Sequence, residues 1–251
     1  MTLSNLSPPL TPLTELADSL RGDGFAIVSA RDVAQIAHVD LNQLQDLNQF
    51  WEELPRDPYL RDGGRYRFRR HSSFEIKGGS LLMVPHRAHW QSVNYNALHG
   101  GIERWFEPSQ TQLTSNPAWE SLLLGLAHVL NGVKQVSTWF VEAHQFRIDT
   151  TDGIGRPTPE GAHRDGVDFV AVFLLNRVGI KGGETRIFDA GGSAGLRFTL
   201  TEPWSLLLMN DERMIHESTP IQPLGSYGFR DTLVLTFRSN GFQDSPNRSQ
   251  Q

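Results

Sequence analysis

The chain has 251 residues, of which 38% are hydrophobic and 20% charged, enough apolar material to bury a substantial core. Its formal net charge of −5 leaves no overall basic footprint for nucleic acid or an anionic membrane surface. With no cysteine at all, disulfides, thiolate nucleophiles and zinc–thiolate sites are excluded, so any metal must be held by imidazole and carboxylate.

The opening stretch MTLSNLSPPLTPLTELADSL has no basic n-region and no long apolar run. It reads against a signal peptide, no later stretch reaches membrane-spanning length, and a cytoplasmic protein is expected. Residues 1–12 are expected to form a flexible arm. Leu13, Leu16 and Leu20 give a short helical stripe closed by Gly22 and Gly24, and Phe25–Val28 reads as a buried strand. Leu41, Leu44, Leu47, Trp51 and Leu54 recur at helical spacing up to Pro55. A further helix has Asn116 as cap, Pro117 in its first turn, an apolar face of Trp119, Leu122, Leu123, Leu126 and Leu130, and Gly132 as its stop.

Beyond Gly132 the pattern changes to short apolar or alternating runs. These are Val136–Ile148, Val167–Leu175, Thr185–Asp189, Leu196–Leu200, Trp204–Met209 and Asp231–Phe237, separated mostly by turns containing Gly or Pro. Several strands at this spacing predict a mainly β fold, a sandwich or barrel, with flanking helices. A helix-rich flank over 13–132, a β core over 133–240 and a flexible tail over 241–251 follow.

The chemistry concentrates in PEGAHRDGVDFVAVFLL, from Pro159 to Leu175. In an extended strand, residues i and i+2 point to one face, so His163 and Asp165 project together. His216, just past the apolar run SLLLMND, supplies a third ligand if its strand lies beside theirs. Two imidazoles and one carboxylate on one face of an octahedron are the ligand set of non-haem Fe(II) oxygenases. An H-x-D tripeptide alone is a weak signal, and the placement of all three residues at strand edges gives it weight. His38, His71, His86, His89, His99, His128 and His144 show no paired spacing, and the HRAH segment of His86 and His89 lacks a carboxylate partner. His216-Glu217 cannot open a zinc-protease helix motif, because Pro220 follows. A buried carboxylate of a cosubstrate needs a cation of matching geometry. Arg230 and Arg238 bracket the run RDTLVLTFR on one face. Arg230 is the preferred anchor and Arg238 the alternative; an Arg230 paired with Asp231 or Glu217 at the surface is the bland reading.

The stretch PEGAHRDGVDFVAVFLLNR, the following KGGETRIFD, His216 and RDTLVLTF together resemble a bacterial family of 2-oxoglutarate/Fe(II) dioxygenases. That family includes free L-isoleucine-type amino-acid hydroxylases and the biofilm-stress-motility (BsmA) proteins. The resemblance runs from about Leu13 to Phe237. It implies one dioxygenase domain with a double-stranded β-helix (jelly-roll) core, iron at its open end on His163, Asp165 and His216, and 2-oxoglutarate on Arg230. Fe(II) and 2-oxoglutarate are the implied cofactors, molecular oxygen the co-reactant, and ascorbate an expected assay supplement.

Gly182 and Gly183 are expected to make a tight turn beside the site, with Thr185 or Arg186 near a ligand. Substrate contacts are expected from Arg65 and Arg67 of RYRFRR, where Arg69 shares their face, from Gln91 and Asn96 of HWQSVNYNALHGG, and from Gln145 and Arg147. Three readings stay open: hydroxylation of a small molecule, foremost a free L-amino acid; hydroxylation of a peptide or protein in a wider groove; and a non-catalytic stress-response protein binding metal or ligand on the same fold.

Overall fold

Alternation along one central strand organises the molecule. In a computed structural model that describes residues 7–96 and 98–245, the strand Thr138–Asp149 turns Trp139, Val141 and Ala143 to one side and Glu142, His144, Phe146 and Ile148 to the other. The first set enters the apolar core and the second lines a cavity, as the two-residue period of a strand requires.

The helices are α1 (Leu16–Gly22), α2 (Ala30–Ile36), α3 (Leu41–Gln45), α4 (Thr111–Thr114) and α5 (Pro117–Val133). The strands are β1 (Phe25–Val28), β2 (Arg67–Lys77), β3 (Ser80–Met83), β4 (Thr138–Asp149), β5 (Phe169–Val178), β6 (Ile180–Gly182), β7 (Thr185–Asp189), β8 (Gly195–Phe198), β9 (Leu206–Asn210), β10 (Met214–Ser218), β11 (Ile221–Pro223) and β12 (Phe229–Arg238). A seven-stranded sheet runs β1-β9-β5-β12-β4-β2-β3, a three-stranded sheet β10-β7-β8, and a two-stranded sheet β11-β6, with antiparallel pairing throughout. This is the expected jelly roll with its flanking helices.

α5 forms as its sequence directs: the Asn116 side chain accepts the Ala118 N–H and Pro117 opens the first turn. Its Trp119, Leu122, Leu123, Leu126 and Leu130 pack with Leu233, Leu235 and Phe237 of β12 on the outer face of the large sheet. Ile27, Val170, Leu174, Ile187, Phe198, Leu207 and Met209 form a second core between the sheets. The periodic run from Leu41 to Leu54 is not one helix; α3 passes into a 3-10 segment, Asp46–Trp51. That segment seats Trp51, fully buried, so that its indole N–H donates to the Thr232 carbonyl of β12 at 3.1 Å. We predict that Trp51→Ala lowers the unfolding free energy by about 3–5 kcal/mol, measured by denaturant melts; a loss below about 1 kcal/mol would contradict this packing role.

Two boundaries differ from the sequence expectation. The β layer is not confined to 133–240, because β1, β2 and β3 complete the large sheet. Within the expected arm and tail, residues 1–6 and 246–251 lie outside the described residues. Thr11, however, donates its backbone N–H to the Ile27 carbonyl at 2.7 Å, and Gln243 reaches the site described next. Among the described residues no helix is long and apolar enough to cross a membrane.

Candidate metal centre and substrate cavity

Backbone pairing brings the first and third predicted ligands together. His163 N–H bonds the His216 carbonyl at 3.0 Å and His216 N–H bonds the His163 carbonyl at 2.9 Å. Directly opposed residues of an antiparallel bridge share a face, and the two imidazole centroids stand 4.6 Å apart. Asp165, two residues on, points the same way. Its Oδ1 lies 3.8 Å from His163 Nε2 and its Oδ2 3.7 Å from His216 Nε2. These separations exceed hydrogen-bond length, and the ligand atoms of all three lie within 4.8 Å of one another. Such acceptors converging without bonding each other fit a divalent cation.

Neighbouring groups fix each donor. His163 Nδ1 donates to the Gly161 carbonyl at 2.9 Å, which leaves Nε2 as the ligand atom. Burial would lower the His163 pKa, but the Asp165 and Glu160 carboxylates outweigh it and raise it above the ordinary value. Burial, then the neighbouring His163, pulls His216 down to about 4, so it is neutral and free to ligate. Asp211 collects the backbone N–H groups of Asp165, Gly166 and Val167 at 3.0, 2.7 and 3.0 Å, holding the ligand loop by its main chain. Gln243 ties the same loop from the C-terminal segment, donating to the Asp165 and Gly166 carbonyls at 2.9 Å each. Gln91 donates to Asp165 Oδ1 at 3.0 Å, and its Oε1 accepts from Arg104 at 2.9 Å and Asn96 at 3.3 Å. We predict that Gln91→Ala weakens metal affinity by about 10–100-fold in a metal titration; an unchanged affinity would contradict its role in orienting Asp165.

Arg230 stands at one end of the cavity, 4% exposed, on the cavity face of β12 with Thr232, Val234 and Thr236. The bland pairing does not occur, since Asp231 binds Arg147 and Asn176 while Glu217 binds Arg186. Among the described residues no acidic group pairs with the Arg230 guanidinium, and burial followed by the charge of Arg177 brings its pKa down to about 10. Gly182 and Gly183, at φ 79° and 66°, do form a tight turn here. A Cβ on Gly183 would meet Arg177 Nη1 at 2.9 Å and come within 3.7 Å of Arg230 Cδ.

Several expected contacts fall elsewhere. Arg65 lies at the surface, paired with Asp152 at 2.7 Å. Gln145 and Arg147 occupy the odd face of β4, towards the helices: Gln145 donates to the Phe50 carbonyl and Arg147 grips Asp231. Arg238 sits past the cavity end of β12 and lines an outer groove with Lys134 and Asp168. Thr185 is buried opposite Ser218 of β10 but does not line the cavity, and Arg186 turns to Glu184 and Glu217. Arg67, Gln91 and Asn96 do line it, joined by Arg69 and Arg104. The sequence reading also missed a buried cluster: His71 of β2, His89, and Glu142 and His144 of β4. Glu142 is the carboxylate partner that His89 lacked locally, and Glu142-Ala143-His144 repeats the i, i+2 spacing that exposed His163 and Asp165.

A model of the 2OG-Fe dioxygenase family matches residues 48–236. A BsmA homologue from Methylobium petroleophilum PM1 is 46% identical, with a TM-score of 0.90 over 96% of this chain and 98% of that one. IDO from Bacillus thuringiensis is 18% identical, TM-score 0.73, over 96% and 99%. The Fe(II)/α-ketoglutarate-dependent dioxygenase TqaL is 19% identical, TM-score 0.68, over 90% and 86%. At the latter two identities the likeness is one of fold. No curated protein matches the chain.

Proposed function

The chain belongs to the 2OG-Fe dioxygenase family, an Fe(II)- and 2-oxoglutarate-dependent enzyme, and we propose that it hydroxylates a small free amino acid. His163, Asp165 and His216 hold the iron, and Arg230 receives the distal carboxylate of 2-oxoglutarate. The bound metal supplies oxygen activation coupled to decarboxylation of 2-oxoglutarate to succinate. The protein's part is geometric and electrostatic. Asp211 and Gln243 fix the ligand loop, Gln91 orients the Asp165 carboxylate, and Arg230, with no acidic partner among the described residues, offers a buried bidentate donor to an anion.

The observation that carries the amino-acid reading is the chain Arg104–Gln91–Asp165, in which one carboxamide bonds both a buried guanidinium and a metal-ligand carboxylate. It sets a carboxylate-binding group beside the metal at a fixed distance. The substrate side is walled by Arg67, Arg69, His89 and Arg104, each at most 6% exposed. That favours a small molecule over a peptide, which would need an open groove. The test is succinate release by anaerobically Fe(II)-loaded protein given oxygen, 2-oxoglutarate and pools of L-amino acids. Stimulation by one pool, lost in His163→Ala, is expected; turnover that no amino acid stimulates would refute the substrate class.

A further inference from the structure

Of the carboxylates lining the cavity, Asp165 faces the metal position and Glu142 is served by its neighbours. Glu142 Oε1 accepts from His71 Nε2 at 2.9 Å and His89 Nδ1 at 3.3 Å, and Arg87 Nη1 stands 3.8 Å away. Glu160 differs. Among the described residues no hydrogen-bond donor reaches its carboxylate, and Oε2 is buried. His163 Nε2 stands 3.6 Å from Oε1, beyond hydrogen-bond length, and is the atom assigned to the metal. A buried carboxylate with no donor is costly, and such a group in a native fold needs an explanation.

The backbone fixes this side chain in place. Thr158-Pro159-Glu160-Gly161 is a turn with proline second and glycine last, closed by the Gly161 N–H on the Thr158 carbonyl at 3.0 Å. The Thr158 hydroxyl donates to the Ser218 carbonyl of β10 at 3.0 Å and accepts the Ser218 N–H at 3.1 Å. The Gly161 carbonyl accepts from His163 Nδ1 at 2.9 Å. The turn is therefore pinned to the segments of both histidine ligands, and the Glu160 side chain it presents to the cavity is 11% exposed. Arg104 supplies the opposite pole. It lines the same cavity at 2% exposure, with Nε buried and without an acceptor. Burial, then the Arg67 charge, brings its pKa down to about 10, while the Asp57 and Glu160 charges act in the opposite direction. Arg104 and Glu160 thus attract one another, yet no ion pair joins them among the described residues. Arg67 and Arg69, by contrast, share Asp57, 2.7 Å from Arg67 Nε and 3.9 Å from Arg69 Nη1.

We propose that Glu160 receives the ammonium of the substrate amino acid while Arg104 takes its carboxylate. This rests on the amino-acid reading above and adds to it the residue that selects for the amine. An α-amino acid carries both charges on one carbon, and the two cancel. It therefore fits between a guanidinium and a carboxylate that do not bond each other, and gives each its partner. An acid lacking the amine leaves Glu160 without a donor. Glu160 is not a fourth metal ligand, since it stands outside the set of His163, Asp165 and His216, whose ligand atoms lie within 4.8 Å of one another.

Calorimetric titration of the anaerobic Fe(II)–2-oxoglutarate protein with each common L-amino acid tests this, followed, for those that bind, by the carboxylic acid lacking the amine. The amino acid should bind at least about tenfold more tightly than its deaminated counterpart, the scale of one charge-assisted hydrogen bond. In Glu160→Gln, verified as folded by its melting curve, that preference should fall to near unity, with iron content and 2-oxoglutarate affinity unchanged. Glu160→Asp, which keeps the charge, should keep part of the preference. A wild-type protein without the preference, or a preference that survives in Glu160→Gln, would overturn the ammonium assignment and leave the amino-acid reading standing. Loss of iron from Glu160→Gln would place Glu160 on the metal and overturn the assignment as well. Binding of no amino acid would overturn both.

Discussion

Arg230→Ala should raise the 2-oxoglutarate concentration for half-maximal turnover by about a hundredfold, with iron content unchanged. The magnitude follows from removing one partner of a buried charge pair, which costs about 2–5 kcal/mol, or roughly 30-fold to several thousandfold. Arg230 suits this partnership because no acidic group among the described residues pairs with it. The neighbouring Asp231 carboxylate is engaged by Arg147 at 2.7 and 2.8 Å and by Asn176 at 2.9 Å. The alternation of β12 turns Arg230 into the cavity while Asp231 faces the helices. Arg230→Lys should recover part of the loss, since it restores the charge without the bidentate fork. An unchanged 2-oxoglutarate requirement in Arg230→Ala would remove this residue from the cosubstrate site.

Asp165→Ala should reduce turnover by more than about a thousandfold and abolish stoichiometric iron binding, well beyond the 10–100-fold expected of a group that only orients a ligand. The fold should survive. Asp211 and Gln243 hold the loop through the N–H and carbonyl groups of residues 165–167, not through the Asp165 side chain. Relief of charge crowding acts in the same direction, because burial and then the Asp165 charge raise Asp211 to about 7. A variant that melts near the wild-type temperature, binds no iron and forms no succinate is the expected result. Retention of one iron per chain would contradict the ligand assignment.

What could be read in advance depended on whether a residue's partners were local. His163 and Asp165 were legible because a strand's two-residue period is a local property. Thr185–Asp189 and α5 were legible for the same reason, being bounded by their own turn and cap residues. The strand carrying His216 was less so. Met214–Ser218 is short, its Ile215, His216, Glu217 and Ser218 are only partly buried, and its place is set by pairing with His163 and β7. Gln145 and Arg147 were misplaced through parity. Both faces of β4 carry polar residues near its end, yet Trp139, Val141 and Ala143 already marked the odd face as the one that packs on the helices. The Arg65, Arg67 and Arg69 face held for the last two and failed for Arg65, which precedes β2 and turns to Asp152. The Glu142 cluster draws on three segments, and only its Glu142-x-His144 spacing was visible in the chain.

Iron and 2-oxoglutarate are expected to share one cavity, metal on His163, Asp165 and His216 and cosubstrate on Arg230. Anaerobic addition of 2-oxoglutarate to Fe(II)-loaded protein tests it most directly, read as the visible metal-to-ligand charge-transfer band of the chelate. The expected result is a band saturating at one chelate per chain, absent in His216→Ala and requiring about a hundredfold more 2-oxoglutarate in Arg230→Ala. A protein that binds Fe(II) but gives no band, or a band indifferent to both substitutions, would contradict it.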